Sequence, residues 1–373
     1  MIQTSCNVGA NLVFALISLA LNERDVKEED MSVGFVYHPI YLEHDTGMHC
    51  ETASRLTGIM SRLKNEGTMD KLVPLNAQAA SIDQVARVHS PSYVSGIESF
   101  VKSGGGYLDG DTVASPASYE AALYAAGGVI AAVDAVMSGD VTYSFALVRP
   151  PGHHAVHSAA MGFCIFNNIA IAARDAITKH KLDRVMIVDF DVHHGNGTQD
   201  AFYHDSDVLY FSTHQYPFYP GSGAVEEIGS GDGEGYTVDV PMPGGCGDAE
   251  YMRAFEEVLV PVTRRFKPQL ILVSAGYDAH WADSIAGMQV SASGYTKMAT
   301  ILKNLADELC NSRLVFALEG GYNIEALAIS VDATINVLLG SPKSGDASGK
   351  PRRIWSPPDI DDLFKRIKAT HNI

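Results

Sequence analysis

Cysteine is scarce and unpaired in this sequence. Its five residues (Cys6, Cys50, Cys164, Cys246 and Cys310) are scattered over 373 positions with no CxxC spacing. That excludes a disulfide framework and reads as free thiols in a reducing compartment, which implies a cytoplasmic protein. Positive charge is short as well: 27 Lys and Arg face 44 Asp and Glu, for a formal net charge of −17. Phosphate repulsion then argues against a nucleic-acid binder, while a cationic substrate is compatible. No membrane span is expected at the amino terminus. Val8 to Leu21 is too short and too interrupted, and no Lys or Arg precedes it as in a signal peptide. Long polar tracts are missing too, and 46% hydrophobic residues suffice for a sizeable core.

What is present centres on Arg184 to Gln199, RVMIVDFDVHHGNGTQ. Val185 to Val188 is a continuous apolar run, as in a strand buried on both faces of a parallel sheet. Asp189, Asp191 and His193 follow at alternate positions and so share one face. Two carboxylates and an imidazole at a strand's carboxyl end form the start of a metal site, and both residue types suit zinc. The Gly195-Asn196-Gly197 turn then releases the chain from the sheet.

Residues 1–30 read as an extension of unknown role, 31–340 as one catalytic domain, and 341–373 as a linker with a C-terminal helix. Val33 to Tyr37 opens the sheet. The polar segment His38 to Leu56, with His44, Asp45, His49, Glu51 and Arg55, reads on composition as a surface loop leading to a helix. Helices are expected from Ser90-Pro91 onward, over Tyr119 to Met137, and over Asp359 to Lys368. From residue 143 one theme repeats: an apolar run ends in a cluster of Gly, His, Asp or Tyr. The runs at 145–148, 185–188, 208–211, 270–273 and 314–318 all do so. Strands alternating with helices predict an α/β fold, a single-domain open parallel sheet with helices on both faces. Ligands sit beyond the carboxyl ends of such strands, so the five clusters should converge on one crevice.

The blocks RPPGHHA (149–155), GFCIFNN (162–168), DFDVHHGNGTQ (189–199), GYDAHWAD (276–283) and LEGGYN (318–323) resemble the signature blocks of the zinc-dependent histone deacetylase superfamily. The resemblance runs from about His38 to about Leu339, with the blocks in family order. Asn196 and Glu319 make it look like the class II and bacterial amidohydrolase branch, which includes acetylpolyamine deacetylases. The implied fold is the arginase/deacetylase-like sheet, and the implied activity is zinc-dependent hydrolysis of an acetyl amide.

By this resemblance Asp191, His193 and Asp278 hold one zinc per chain. Of His153 and His154, one acts as general base and later as acid to the leaving amine while the other assists electrostatically, the transfer role usually falling to His154. Asp189 orients His153, Asn196 takes the place of a second carboxylate beside His154, and Tyr322 donates to the oxyanion. Gly162, Phe163 and Tyr219 line a narrow substrate tunnel, with Tyr219 where most relatives have Phe. Ile285 stands at the tunnel mouth with Asp283 near by, and Asp111 at the rim holds the substrate backbone. Arg55 matches an arginine of an internal channel, and Cys50 replaces a proline usual after His49. Structural potassium is implied at Asp189, Asp191, His193, Ser212 and Thr213, and a second near Phe202, Asp205, Val208 and Tyr236. The implied partners are an acetylated lysine peptide or protein, or an acetylated small amine, with no nucleic acid and no membrane; a homo-oligomer is compatible. An arginase-like two-metal hydrolase and a non-catalytic binding module are the competing readings.

Overall fold

The computed structural model describes residues 31–343, 349 and 358–373. The expected extension at 1–30 and most of the expected linker, residues 344–348 and 350, lie outside the described residues. Among the described residues ten strands form: β1 (Val33–Val36), β2 (Leu72–Leu75), β3 (Gly106–Tyr107), β4 (Val113–Ala114), β5 (Tyr143–Ala146), β6 (Val185–Asp189), β7 (Val208–Gln215), β8 (Thr237–Met242), β9 (Leu270–Ala275) and β10 (Leu314–Leu318). β3 and β4 make a small antiparallel ribbon. The other eight build one open, wholly parallel sheet in the order β2-β1-β5-β10-β9-β6-β7-β8.

The five apolar runs become β5, β6, β7, β9 and β10, and every residue of the four central strands β5, β10, β9 and β6 is buried. The two edge strands were not foreseen, for a physical reason. β2 carries Pro74, and β8 carries Asp239 and Pro241, so neither is a continuous apolar run. Proline lacks the ladder N–H and belongs at sheet edges. The helix Asp361–His371 covers the β8 edge with Phe364 and Ile367 buried.

The helices Ser118–Ser138 and Asn168–His180 pack together on one side of the sheet; Ser54–Asn65, Ile324–Leu338 and Ala292–Leu309 pack on the other. The first is long and apolar enough to cross a membrane, yet it packs on β1, β5 and the neighbouring helix with most of its residues buried. It is a core helix. Its start falls at Ser118, so Pro116 precedes it instead of sitting in its first turn. Side-chain caps set other starts: Asn167 accepts from the Ala170 N–H, and Asn323 from the Ala326 N–H. The Gly195-Asn196-Gly197 turn opens directly into the helix Asn196–Phe202.

β5 and β6 follow one another in the chain but are separated in the sheet by β10 and β9. The carboxyl ends of these four strands therefore face one crevice where the strand order breaks.

Candidate active site

The floor of the crevice is an acidic cluster with one imidazole. Asp191 and His193 follow β6, Asp278 follows β9, and their ligating atoms all lie within 4.8 Å of one another. His193 Nδ1 is 3.1 Å from Asp191 Oδ1 and 3.3 Å from Asp278 Oδ2. Burial lowers the basicity of His193, but its hydrogen bond with Asp191 and the adjacent Asp278 carboxylate overcome it and hold it up to about 10. The cluster calls for positive charge. Burial pushes the Asp278 carboxyl up to about 6, with Asp191 adding to it, while interaction with His153 and His193 outweighs burial and holds Asp191 low.

The donor set fits a divalent metal. Asp278 Oδ2 is buried with no hydrogen-bond partner. The remaining carboxylate oxygens are held by backbone: the Val192 N–H donates to Asp278 Oδ1 at 2.9 Å, and the Gly320 N–H to Asp191 Oδ2 at 2.8 Å. Glycine is required beside the cluster, because a Cβ on Gly320 would sit 2.2 Å from Asp278 Oδ2 and 2.5 Å from Asp191 Oδ2. Oxygen and imidazole donors at this density suit zinc.

Two imidazoles stand over the floor in opposite electrostatic settings. His153 Nδ1 is 3.0 Å from Asp189 Oδ2, and Nε2 is 3.8 Å from Asp191 Oδ2. Burial lowers its basicity, yet Asp191 and Asp189 raise it to about 10. His154 Nδ1 is 2.8 Å from Asn196 Oδ1. Burial, with His153 and His193 adding to it, pushes His154 well below the ordinary histidine range. A carbonyl oxygen only accepts, so His154 donates through Nδ1–H and keeps a lone pair on Nε2. Asp189, grouped with Asp191 and His193 by strand alternation, serves His153 instead of the metal-ligating cluster.

The turn bearing both histidines is pinned by Glu319, which the sequence reading used only as a branch marker. Its Oε2 accepts the Gly152 N–H at 2.6 Å and the His153 N–H at 3.2 Å. Burial pushes its carboxyl up to about 7 against the pull of His153.

Tyr322, after β10, lies edge-on to Phe163 at 5.7 Å and beneath the Arg55 guanidinium at 4.9 Å. Burial drives its phenol well above the ordinary range, so it stays a donor. Its backbone N–H donates to Asp283 Oδ2 at 2.6 Å, and the Asn323 N–H donates to the same atom at 2.8 Å. Asp283 is only 6% exposed. It fixes the tyrosine loop and does not present charge at the mouth.

The segment 38–56 is partly a surface loop, yet some of its charged side chains turn inward. Glu51, Arg55, Arg149 and His44 are all buried. Glu51 Oε1 accepts from Arg149 Nε at 2.7 Å and Arg55 Nη1 at 3.0 Å. Burial raises the Glu51 carboxyl, but Arg149 and Arg55 outweigh it and hold it down at about 2. Arg55 also donates to the Gly321 carbonyl at 2.7 Å and to the Glu319 carbonyl. This network clamps the floor of the Tyr322 loop. No local pattern announces it, because its members come from distant positions.

Phe163 and Tyr219, the residues expected to line the tunnel, stand close to Tyr322 and the two histidines. Phe163 has φ 69° and follows Gly162 at φ 56°, and it also meets His49 edge-on at 4.5 Å. A side chain at Gly162 would strike the His154 ring at 2.3 Å. Tyr219 stands edge-on to His154 at 5.1 Å and to His193 at 6.1 Å. Asp111 flanks Thr112, whose hydroxyl accepts the Phe163 N–H at 3.0 Å. Ile285 is half-buried and donates its N–H to Asp283 at 3.1 Å. Met48 and Cys50 are exposed. For the implied potassium sites, Asp189 lies in register opposite Ser212, and the Thr213 hydroxyl is buried without a hydrogen-bond partner. Phe202, Asp205, Val208 and Tyr236 gather near the start of β7, with Asp205 paired to Arg174.

Two histidines with unlike partners stand over a buried cluster that could hold a metal ion, at the break in a parallel sheet, and this arrangement suits a hydrolase. The family comparison agrees: residues 49–338 match the histone deacetylase domain. The chain is 43% identical to histone deacetylase 10, chloroplastic, of Oryza sativa subsp. japonica over 88% of its length and 79% of that protein. It is equally 43% identical to a probable deacetylase of Archaeoglobus fulgidus, over 92% of this chain and 96% of that one. The crystal structure of the HDA15 HD domain superposes with a TM-score of 0.82 at 36% identity, covering 92% of this chain and 94% of that one. The chain belongs to the histone deacetylase family and takes its place among deacetylases.

Proposed function

We propose that the protein is a zinc-dependent deacetylase that hydrolyses the acetyl amide of acetyl-lysine side chains or closely related acetylated amines. The observation that carries this reading is the buried Asp191–His193–Asp278 cluster beneath two histidines with unlike partners. Asp191, His193 and Asp278 hold the metal, about one per chain. Bound zinc supplies Lewis-acid polarisation of the acyl carbonyl and makes water acidic enough to attack near neutral pH.

The chain's own groups do the rest. His154, kept neutral with its free lone pair on Nε2, takes a proton from the attacking water and returns one to the leaving amine. His153, paired with Asp189, supplies positive charge beside the acyl carbon. The Tyr322 hydroxyl donates to the oxygen that becomes negative. Phe163 and Tyr219 flank the alkyl chain of the substrate with Gly162 keeping the passage open, Ile285 lines the mouth, and Asp111 accepts the substrate backbone N–H. Asp189, Ser212 and Thr213, and separately Phe202, Asp205, Val208 and Tyr236, are our candidates for structural potassium, held mainly by main-chain oxygens.

We read the substrate as acetylated protein or peptide in preference to a polyamine, since the mouth position Ile285 is apolar and Asp283 is withdrawn into the loop. Unpaired Cys50, Cys164, Cys246 and Cys310 favour a reducing compartment, which we take to be the cytoplasm; two plant relatives carry chloroplastic names. An arginase-like two-metal hydrolase needs carboxylates shared between two ions, and the metal-ligating clusters here share no residue. The decisive experiment is turnover by zinc-loaded enzyme of an acetyl-lysine peptide, N-acetylspermidine and N-acetylputrescine. Absence of turnover on all three would leave the non-catalytic binding module as the better reading.

A further inference from the structure

A second cluster takes in His153 together with two residues, Cys164 and Glu319, to which the deacetylase reading gives no part in the chemistry. One ligating atom each from His153, Cys164 and Glu319 lies within 4.8 Å of the others, and all three residues are buried. We propose that these residues form a second, inhibitory site for a thiophilic divalent cation such as zinc, cobalt or cadmium.

The chemistry differs from that of the floor. Asp191, His193 and Asp278 offer oxygen and nitrogen, whereas this cluster offers sulfur, nitrogen and oxygen and shares no ligand with them. Thiolate with imidazole selects softer ions within the first transition series and its congeners. The carboxylate has no cationic hydrogen-bond donor: Glu319 accepts only from the neutral Gly152 N–H at 2.6 Å, His153 N–H at 3.2 Å and Ser274 hydroxyl at 3.3 Å. Arg55 reaches only its main-chain carbonyl, not the carboxylate. Cys164 holds its proton in a single weak contact, 3.3 Å to the Gly162 carbonyl.

Ion binding breaks the S–H bond of Cys164, forms a metal–thiolate bond, and releases that proton to solvent, one per ion. The ion also takes a ring nitrogen of His153, and either choice disables it. If Nδ1 ligates, the contact with Asp189 is lost; if Nε2 ligates, that nitrogen no longer faces the substrate. Inhibition follows in both cases. The inhibitory half of the proposal rests on the deacetylase reading, whereas the binding half does not.

The test uses enzyme loaded with one equivalent of cobalt and titrated with more. The floor holds no sulfur, so a thiolate-to-cobalt charge-transfer band reports the second site alone. We expect the band to grow over the second equivalent while turnover falls in step. Cys164→Ser and Cys164→Ala should keep first-equivalent binding and basal activity, lose the band, and require about tenfold more cobalt for the same inhibition. Absence of the band in the parent, or a band and inhibition unchanged in both variants, overturns the site. A Cys164-dependent band without loss of turnover overturns the inhibitory role. One-equivalent enzyme inactive on every acetyl amide sinks the deacetylase reading, and the band still decides the site.

Discussion

Asn196 Oδ1 accepts a 2.8 Å hydrogen bond from His154 Nδ1, at the position where a carboxylate would make His154 the twin of His153. The neutral amide fixes the tautomer without stabilising the imidazolium. Asn196→Asp should therefore raise the His154 pKa, because a carboxylate favours the charged ring. The acidic limb of the kcat/KM profile is expected to move up by about one pH unit. An unchanged profile would remove His154 from the proton-transfer role.

The floor cluster predicts metal dependence. Asp278 Oδ2 is buried and lacks a hydrogen-bond partner, and its removal takes away one of three ligands. Metal analysis of Asp191→Ala and Asp278→Ala should find most of the zinc gone and activity lost with it. Full zinc and full activity in either variant would show that the ligands lie elsewhere.

Tyr322→Phe removes a hydroxyl that the fold does not otherwise use, since the loop is held through the Tyr322 backbone and Asp283. Loss of one donor to a developing oxyanion typically costs about 10²–10³ in kcat. The loss should fall on kcat more than on KM, with an unchanged melting temperature. A variant within a factor of about two of the parent takes Tyr322 out of the chemistry.

These residues were legible because each closes an apolar run: Asp189 at the end of β6, Asp278 after β9, Tyr322 after β10. Period and punctuation locate strand ends, and a parallel sheet gathers those ends in one place. Glu51, Arg149 and Asp283 were not legible in the same way. Glu51 meets Arg149 across 98 positions, and Asp283 meets Tyr322 across 39. Burial of such groups is decided by tertiary pairing, which leaves no local period. β2 and β8 escaped because Pro74, Asp239 and Pro241 break their apolar pattern at the sheet edges.

Glu51 offers a stability test. Its carboxyl is held down at about 2, against an ordinary value of 4.5. A depressed carboxyl contributes stability that is present above the unfolded value and fades as pH falls towards the folded one. Glu51→Gln should lose several kcal/mol, about 3–5, by leaving two guanidinium groups buried without their anion. Its urea midpoint should also depend less on pH between 4.5 and 2 than that of the parent. Equal midpoints at neutral pH would mean that the cluster contributes no net stability.

Substrate class turns on the mouth of the tunnel. Selection of an acetylpolyamine needs an anion that meets a secondary ammonium beyond the acetyl amide. Ile285 supplies none, and Asp283, the nearest carboxylate in its block, spends Oδ2 on the N–H groups of Tyr322 and Asn323 and Oδ1 on that of Ile285. The net charge of −17 attracts cations of either class and discriminates little between them. Acetyl-lysine peptides should therefore be turned over at least as efficiently as N-acetylspermidine or N-acetylputrescine. A polyamine advantage of about tenfold in kcat/KM, worth about 1.4 kcal/mol of transition-state binding, would overturn that preference. Asp283→Asn separates the two roles open to this carboxylate. As a loop anchor it should lower kcat on every substrate alike, because a weaker acceptor lets the Tyr322 loop shift. A change confined to the polyamine-to-lysine ratio would instead place Asp283 in contact with substrate.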